Sequence, residues 1–337
     1  MIISKTPFRM SFFGGGTDLK KFYERYGGAV LSTTFDKYCY VTVRHLPRFF
    51  NYANELVYAD IERINNVEEI RHPLIRNMMK FKKMYEIRLT YEADLPARTG
   101  LGTSSSFAVG MLNAFYGIKG KCIDKRRLAD EAIYVERNMC KEAGGIQDQI
   151  AAAFGGLNRI DMDSNGYHVK PIIISNERKK RLEDNLMLFF TGFSRFSSDI
   201  QEKTSCCMDE KINNLLKMKS LVDEAEIILT DESCDLDKFG YLLDYTWQLK
   251  RGISDGISNN EIDTIYNRAK RAGAIGGKLL GAGGGGFLIF YVSKERQTNV
   301  LNELKDLLYV PFSFENEGSQ IIYFKSEDYE IPLKYLN

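Results

Sequence analysis

The sequence is organised around residues 95–106, which read Leu95-Pro96-Ala97-Arg98-Thr99-Gly100-Leu101-Gly102-Thr103-Ser104-Ser105-Ser106 and run directly into an apolar segment, residues 107–112. Two glycines one residue apart let the backbone turn tightly and come close to a ligand. The four hydroxyl residues behind them are favoured helix N-caps, so a helix is predicted to begin here. The unpaired N–H groups and the positive dipole end of a helix start favour a phosphate.

The same residues leave a second interpretation open, a flexible turn that caps a helix and binds nothing. In a phosphate-binding loop, one serine hydroxyl could also ligate Mg²⁺, which prefers hard oxygen ligands. The loop is not a Walker A motif, because no lysine follows Gly102, and it lacks the third glycine of the dinucleotide fingerprint. The rest of the chain must therefore decide between the two interpretations.

Length and composition describe an ordinary globular protein. The 337 residues are 44% hydrophobic and 27% charged, which is enough for about two domains with buried cores. A formal net charge of +1 argues against nucleic acid or an anionic membrane as a partner. Neither a signal peptide nor an apolar run of membrane-spanning length is present, so a cytoplasmic location is expected. The six cysteines include no Cys-x-x-Cys pair and there are three histidines, which predicts reduced thiols and no structural zinc site.

A second glycine run lies near the N-terminus. Residues 2–13 alternate enough to predict a strand, which ends at Phe13-Gly14-Gly15-Gly16-Thr17-Asp18. Three successive glycines make sense where the backbone turns sharply or lies against a ligand. Arg9 and Asp18 flank this turn. Alternatively, Asp18 only caps a helix that begins near Leu19.

Two carboxylates in the following segments stand out. A helix is predicted from about Lys125 to Ala143, ended by Gly144-Gly145, and Glu136 lies on its apolar stripe. A carboxylate on a core-facing stripe is unfavourable unless it is paired or binds a cation. A stripe-edge pair with a nearby Arg or Lys stays open as the alternative. Asp148 falls in the first turn of the next short helix, where an Asp by itself most often serves the helix dipole.

The pattern changes after the charged run Asn176 to Asp184, which is predicted to be a linker. Residues 186–190 indicate a buried strand. The glycine-rich run Lys278-Leu279-Leu280-Gly281-Ala282-Gly283-Gly284-Gly285-Gly286 leads into another strand at 287–292, and is a further place where the backbone is expected to need room for a ligand. Helical patterns cover 199–229, 235–251, 260–272 and about 294–307. The other predicted strands lie at 29–45, 86–93, 157–161 and 167–174, and near 309–314 and 319–325, where the last two complete a second domain. This order of elements predicts an α+β protein.

Three features resemble the three sequence motifs of the GHMP kinases, across essentially the whole chain: Arg9 with Gly14-Gly15-Gly16-Thr17-Asp18, Gly100-Leu101-Gly102-Thr103-Ser104, and Lys278 to Gly286. This superfamily includes galactokinases, homoserine kinases and mevalonate kinases. The resemblance implies a two-domain α+β GHMP kinase fold. Residues 1–178 would form an N-terminal domain like ribosomal protein S5 domain 2, and residues 185–337 a C-terminal ferredoxin-like α/β sandwich.

The resemblance also implies the roles of site residues and the cofactors ATP and Mg²⁺. Ser104 and Glu136, which Arg137 follows, would hold Mg²⁺. Asp148, which precedes Gln149, would be the catalytic base, with Arg9 beside it to stabilise the transferring phosphate. The implied ATP-binding residues are Gly100, Leu101, Gly102, Thr103, Ser104, Ser105 and Ser106.

The first motif points to a sugar substrate. Gly15 and Gly16 stand where galactokinases carry a Glu and a His that contact sugar hydroxyls. This form resembles the branch of the family that phosphorylates D-glycero-D-manno-heptose 7-phosphate at its anomeric hydroxyl. Arg195 is a candidate for binding the 7-phosphate, and Lys250 and Arg251 are further options. The other implied substrate-binding residues are Gly15, Gly16, Thr17, Asp18, Gly283, Gly284 and Gly285.

The implied partners are a small sugar phosphate and ATP, without nucleic acid or a membrane, and a homodimer is left open. Several alternatives stay open for the function: a fucokinase-like or galactokinase-like sugar kinase, a decarboxylase that phosphorylates its substrate transiently, or a GHMP-fold ligand sensor without catalysis. The joint presence of Ser104, Glu136 and Asp148 argues against a sensor, since a sensor need not keep a catalytic base.

Overall fold

Two long strands form the centre of the larger sheet in the computed structural model, which describes residues 1–47, 49–192, 212–253 and 256–326. Strand β1 (Ile2–Phe13) pairs antiparallel with β2 (Gly28–His45). The alternating sequences predicted both strands, but not their pairing. Within the described residues, the strand order of this sheet is β13-β1-β2-β5-β3-β4. In addition, β6 and β12 each pair with β2, and β7 pairs with β6. These strands are β3 (Asn54–Val57), β4 (Ile61–Ile64), β5 (Ile87–Ala93), β6 (Asn158–Asp163), β7 (Gly166–Pro171), β12 (Phe314–Glu315) and β13 (Gln320–Phe324).

Helix α3 (Thr103–Ile118) packs on the larger sheet and is buried along most of its length. A side chain at Gly110 would place its Cβ atom 2.8 Å from the hydroxyl of Thr6 on β1, so this helix position needs glycine for close packing. The first hydrophobic core lies between α3, its neighbouring helices and the sheet. Those helices are α2 (Pro73–Lys82), α4 (Lys125–Ile133) and α5 (Gln147–Phe154); α1 (Lys20–Tyr26) lies between β1 and β2 in the chain, and a short 3₁₀ turn covers Val67–Glu69.

The predicted helix over 125–143 is shorter than expected. Helix α4 ends at Ile133 and continues as a π-helical turn, Tyr134–Met139, so Gly144 and Gly145 lie beyond it in a loop. The wider turn is marked by the hydrogen bond from the Cys140 N–H to the Val135 carbonyl, 2.8 Å. A π turn inserts one extra residue and shifts the helix face, which periodicity alone does not reveal.

The smaller sheet has the order β11-β8-β10-β9 and is antiparallel throughout. Its strands are β8 (Leu186–Phe190), β9 (Gly276–Leu279), β10 (Phe287–Tyr291) and β11 (Leu308–Val310). The sequence analysis missed β9, because its Gly276-Gly277 start weakens the strand signal. Glycine is needed there, since a Cβ atom at Gly276 would lie 1.9 Å from the Gly240 carbonyl oxygen. The helices of this half are α7 (Ile212–Thr230), α8 (Asp237–Arg251), α9 (Asn260–Ala272) and α10 (Gln297–Glu303), with a 3₁₀ turn at Lys294–Arg296.

A second hydrophobic core joins the two sheets. Phe12 and Phe13 on β1 both meet Phe239 of α8 edge-to-face, with ring centroids 5.4 and 5.0 Å apart. Residues of α7, β8 and β10 complete this core, and a third core lies between the smaller sheet, α9 and α10. The two halves therefore share buried apolar surface along β1, the strand that carries Arg9.

The last strands of the described chain return to the larger sheet. The sequence analysis placed the strands near 309–314 and 319–325 in the second domain. The first range overlaps β11, which pairs with β8 in the smaller sheet, but it ends at the start of β12, which pairs with β2. The strand near 319–325 is β13, which pairs with β1. Alternation predicts that a segment is a strand; it does not predict which sheet edge the strand joins. The division into domains at 1–178 and 185–337 stays a prediction, whereas the α+β class is confirmed. None of the described helices has both the length and the apolar character needed to cross a bilayer.

Residues 176–184, predicted to be a linker, form helix α6 (Asn176–Asp184). The Ser175 side chain caps it by accepting a hydrogen bond from the Arg178 N–H, 3.2 Å. The Arg178 guanidinium is buried and donates to the carbonyl oxygens of Ile228 and Leu229 at 2.6 and 2.7 Å. Arg178 thereby provides hydrogen-bond donors to carbonyl groups at the C-terminal end of α7, which lack partners within the helix. The charged run is therefore a helix packed against α7 and not a flexible linker.

Replacement of this buried arginine tests the contribution of the contact between α6 and α7 to stability. We expect Arg178→Met to lower the free energy of unfolding by about 3 kcal/mol, because buried carbonyl groups lose a charged hydrogen-bond donor. Lys180→Met on the same helix is the matched control, since Lys180 is exposed and its ion pairs are on the surface. Urea denaturation at pH 7 measures both. Equal stability of the two variants would show that Arg178 does not hold α6 to α7.

Candidate active site

A single cleft brings together residues that are far apart in the sequence. Its lining includes Arg9 of β1, Asp18 of the first glycine turn, Asp148 of α5, and Lys250 and Lys278 from the second half of the chain. Other residues of the cleft wall are Ser11, Gly15, Gly16, Leu19, Arg137, Gly145, Gln147, Ile253, Ile257, Gly281 and Ala282. The first and third sequence motifs thus meet at one place.

Arg9 and Asp148 form the central contact of the cleft. The Arg9 Nε and Nη2 atoms donate to the two Asp148 carboxylate oxygens at 2.7 and 2.9 Å, and Nη1 donates to the Gly100 carbonyl at 2.6 Å. The guanidinium is nearly buried, whereas 22% of the Asp148 side chain is exposed. Two parallel N–H···O bonds fix the plane of a carboxylate, so Asp148 presents a defined face to the cleft.

The phosphate-loop candidate lies against this pair. Gly100 and Gly102 have φ values of 82° and 73°, which L-residues with side chains rarely adopt. A Cβ atom at Gly102 would lie 3.2 Å from Arg9 Cγ and 3.5 Å from Asp148 Cβ. Helix α3 begins at Thr103, so its first N–H groups, which lack partners within the helix, open beside the Arg9–Asp148 pair.

The four hydroxyl residues of the loop differ in what they contact. Thr103 Oγ1 accepts from the Arg98 N–H at 3.3 Å, and Ser106 Oγ donates to the Pro7 carbonyl at 2.9 Å, so both hold the loop in place. Ser105 is buried. Ser104 is exposed, and its hydroxyl lies 3.3 Å from Glu136 Oε1. The two residues predicted to hold Mg²⁺ are therefore neighbours in space.

Glu136 is almost fully buried, and burial raises the pKa of its carboxyl group, with the charge of Asp148 adding to the shift. The alternative of a pair with Arg137 is not realised as a contact, because that guanidinium donates to the carbonyls of Glu142, Ala143 and Gly145. Gln149 Nε2 donates to Glu136 Oε2 at 2.6 Å, and Gln149 Oε1 is buried without a partner among the described residues.

These contacts fit a hard divalent cation. A buried carboxylate, an adjacent serine hydroxyl and an unpartnered amide oxygen are oxygen ligands of the kind Mg²⁺ prefers. The described residues contain no cluster of three or more His, Cys, Asp or Glu side chains suited to a metal. Protein ligands would therefore fill only part of an octahedral shell, as expected where phosphates and water supply the rest.

The first glycine turn contributes unequally to the cleft. Gly15 and Gly16 line it, and Asp18 Oδ1 accepts from the Gly16 N–H at 3.0 Å. Burial raises the pKa of Asp18, and the charge of Asp148 adds to this effect. Thr17 is fully buried, and its hydroxyl contacts the Gly14 and Ala29 carbonyls at 2.7 and 2.9 Å. Thr17 therefore connects the turn to β2 by hydrogen bonds. This buried position does not support the prediction that Thr17 contacts the substrate.

The third motif touches the second through backbone atoms. A Cβ atom at Gly281 would lie 2.2 Å from Gly100 Cα, and one at Gly286 would lie 2.2 Å from the Thr99 carbonyl oxygen. Of this motif, Lys278, Gly281 and Ala282 line the cleft. Gly283 packs on the Ile257 backbone instead, and Gly284 donates its N–H to the Ile257 carbonyl, 3.0 Å. The predicted substrate contacts of Gly283, Gly284 and Gly285 stay predictions; Arg195 lies outside the described residues.

Two buried lysines of the cleft were missed or left unranked by sequence reasoning. Lys250 is 8% exposed and Lys278 is 2% exposed. Leu243, Trp247 and Lys250 follow one another on the buried face of α8 at intervals of four and three residues. A lysine on an apolar helix stripe was the sequence signal that could have identified Lys250 as buried. Arg251, the other option, is instead exposed and pairs with Asp263 at 2.6 Å.

Comparisons with known proteins agree with this geometry. The profile of the GHMP kinases N terminal domain matches residues 68–156, and that of the GHMP kinases C terminal matches residues 232–310. The chain is 32% identical over 336 residues to D-glycero-alpha-D-manno-heptose 7-phosphate kinase of Campylobacter jejuni, covering 94% of this chain and 97% of that protein.

Solved structures share the fold. A D-glycero-D-manno-heptose 1-phosphate kinase from Bacteroides thetaiotaomicron superposes with a TM-score of 0.79 at 24% identity, over 97% of this chain and 100% of that one. Lactococcus lactis galactokinase complexed with galactose gives a TM-score of 0.72 at 18% identity, over 95% and 94% of the two chains. The predicted two-domain GHMP kinase fold is confirmed, and this chain belongs to the GHMP kinase family.

Proposed function

We propose that this kinase transfers the terminal phosphoryl group of ATP to the anomeric hydroxyl of D-glycero-D-manno-heptose 7-phosphate, and so forms the 1,7-bisphosphate. The observation that carries the proposal is the Arg9–Asp148 pair of the cleft, which lies directly against the glycine loop at the start of α3. The heptose acceptor is supported by the full-length relative from Campylobacter jejuni. It is also supported by the absence of large polar side chains at Gly15 and Gly16.

Asp148 is the group suited to take the proton of the acceptor hydroxyl. Its carboxylate is held by two hydrogen bonds from Arg9 and still exposes 22% of its side-chain surface to the cleft. A general base must lie within hydrogen-bond reach of the proton that it removes. Asp148 would do so for a hydroxyl that enters along Gly15 and Gly16, which line the same cleft. Arg9 is also close enough to stabilise charge on the transferring group.

The start of α3 is suited to hold the ATP phosphates. Its free N–H groups and dipole favour anions, and Gly100 and Gly102 let the backbone approach them. When bound, Mg²⁺ supplies neutralisation of the charge that develops on the phosphate oxygens. Ser104 and Glu136 are the side chains that would hold it, and Gln149 orients Glu136 through its 2.6 Å hydrogen bond.

Asp18 is suited to hydrogen-bond sugar hydroxyls. It lines the cleft beside Gly15 and Gly16, and its carboxylate is oriented by the Gly16 and Gln147 N–H groups at 3.0 and 3.4 Å. Burial and the neighbouring Asp148 raise its pKa, and in its ionised form the carboxylate accepts hydrogen bonds from hydroxyl groups. The same carboxylate could serve galactose or fucose, which is why the acceptor needs a direct test.

An acceptor panel provides that test. We expect ADP release to be fastest with D-glycero-D-manno-heptose 7-phosphate, and to be at least tenfold slower with fucose, galactose and mevalonate, since each lacks a phosphate or a sugar ring. A coupled ADP assay at fixed ATP measures all four. Faster turnover with fucose or galactose would reassign the acceptor within the family, and no turnover with any sugar would favour a ligand sensor.

Replacement of the proposed base gives the second test. Asp148→Asn keeps the shape of the side chain but removes the proton acceptor, and we expect kcat to fall by roughly 10²–10⁴-fold. ATP affinity should stay within about threefold, because Asp148 does not hold the nucleotide. Asp163→Asn, an exposed carboxylate at the end of β6, is the matched control. Undiminished turnover of Asp148→Asn would exclude it as the base.

The metal assignment is tested through the Mg²⁺ dependence of the rate. We expect Ser104→Ala and Glu136→Gln each to raise the Mg²⁺ concentration for half-maximal activity by roughly tenfold or more, because each removes or weakens one oxygen ligand. Ser220→Ala, whose hydroxyl bonds the Lys217 carbonyl within α7, is the control. An unchanged Mg²⁺ requirement in both cleft variants would show that the cation is held elsewhere.

A further inference from the structure

The cleft contains two buried lysines that have no acidic partner among the residues described. Lys250 Nζ donates to the carbonyl oxygens of Leu279, at 3.3 Å, and Gly281. Lys278 Nζ donates to the Ser11 and Phe12 carbonyls at 3.0 and 2.7 Å. Every one of these partners is a backbone carbonyl. A neutral hydrogen-bond donor would satisfy a carbonyl equally well, so these contacts do not explain why two lysine side chains are buried here.

The other charges of the cleft are already engaged. Its described lining carries four cationic side chains, Arg9, Arg137, Lys250 and Lys278, against two carboxylates, Asp18 and Asp148. Arg9 is bound to Asp148, and Asp18 accepts from backbone N–H groups. The lining therefore has more basic than acidic side chains, a composition suited to receive an anion.

The ionisation of the two lysines agrees with an anion site. Burial lowers the pKa of Lys250 to about 7, and the charge of Arg9 adds to this effect while that of Asp18 opposes it. Burial lowers the pKa of Lys278 well below its usual value, with Lys250 and Arg9 adding to the shift. A bound anion would favour the cationic form of both groups. Ser11 Oγ, also in the cleft wall, is buried without a partner among the described residues.

The position of Lys250 points to a phosphate. Its Nζ holds the Gly281 carbonyl, and Gly281 lies directly against Gly100 of the phosphate-loop candidate. The Lys250 ammonium group is close enough to Arg9 and Asp18 for their charges to shift its pKa. Lys250 also lines the cleft together with Gly15, Gly16 and Asp18. It therefore contacts a residue that packs on the loop proposed to carry ATP, and it shares the cleft with the turn proposed to carry the sugar.

We propose that Lys250, with Lys278 behind it, forms an anion subsite that binds a phosphate group in this cleft. The proposal rests on the proposed function, because a kinase acting on a sugar phosphate brings two such groups here. One is the phosphoryl group being transferred, and the other is the acceptor's own phosphate. Both offer the same chemistry to an ammonium group, so the experiment must distinguish them.

The test compares Lys250→Met, Lys250→Arg and Arg251→Met as purified full-length kinases. Methionine keeps the length of the lysine chain without its charge, and arginine restores the charge. Arg251 is the neighbouring cation on α8, but it is exposed and paired with Asp263. Isothermal titration calorimetry gives the Kd of four probes for each variant: ADP, the non-hydrolysable ATP analogue AMPPNP, heptose 7-phosphate, and the heptose without phosphate. The thermal midpoint of each variant checks its fold.

We expect Lys250→Met to lose about tenfold to a hundredfold in affinity for one phosphate group, as for one charge-assisted hydrogen bond. If the AMPPNP affinity falls and the ADP affinity does not, the subsite takes the transferred phosphoryl group. If the heptose 7-phosphate affinity falls and that of the plain heptose does not, it takes the acceptor's phosphate. Lys250→Arg should recover part of the loss in either case.

The proposal is wrong if folded Lys250→Met binds all four probes within threefold of the wild type. It is also wrong if Arg251→Met shows the same losses, or if all affinities fall together with the thermal midpoint. Lys278→Met gives the same comparison for the second lysine, where a purely structural clamp predicts lower stability with unchanged Kd values. If the wild type does not bind heptose 7-phosphate, the proposed acceptor is wrong. The ratio of the AMPPNP and ADP Kd values then decides by itself whether Lys250 binds the transferred phosphoryl group.

Discussion

The ion pair between Arg9 and Asp148 is the contact on which the rest of the cleft depends. Arg9 donates to both Asp148 oxygens and to the Gly100 carbonyl, and its own N–H donates to the Leu101 carbonyl at 3.1 Å. One side chain of β1 thus positions α5 and the glycine loop at once. Gly102 lies so close to the pair that a side chain there would press on Arg9. This close contact is one reason why the loop needs glycine at position 102.

The buried ionisable groups around that pair are unfavourable for stability. Asp18, Glu136, Lys250 and Lys278 are all less than a tenth exposed, and burial shifts the pKa of each toward its neutral form. A core selected only for stability would place apolar side chains at these positions. Perturbed ionisation concentrated in one cleft is typical of catalytic and ligand-binding sites, and here the perturbed groups come from both halves of the chain.

The sequence predicted those helices and strands whose signals lie within a few neighbouring residues. Strand β1 and helix α3 were confirmed because alternation, glycines and hydroxyl caps are local signals. Glu136 could be singled out from the sequence because a carboxylate on an apolar helix stripe is unfavourable unless it has a partner. The π turn that positions Glu136 could not be predicted. What the sequence could not show were tertiary choices: that residues 176–184 form a capped helix under α7, that β13 returns to β1, and that Lys250 enters the cleft. Each depends on a partner distant in the chain.

The three sequence motifs are jointly specific because they describe one physical contact. The backbone of Gly281 lies against that of Gly100, and a side chain at Gly286 would collide with the Thr99 carbonyl. A glycine in the second motif is therefore matched by glycines in the third, and Arg9 of the first binds the carbonyl of that same Gly100. Any one of these runs can arise as an ordinary turn. Their coincidence requires two sheets whose loops meet at one cleft, and that geometric requirement is what made the family recognisable.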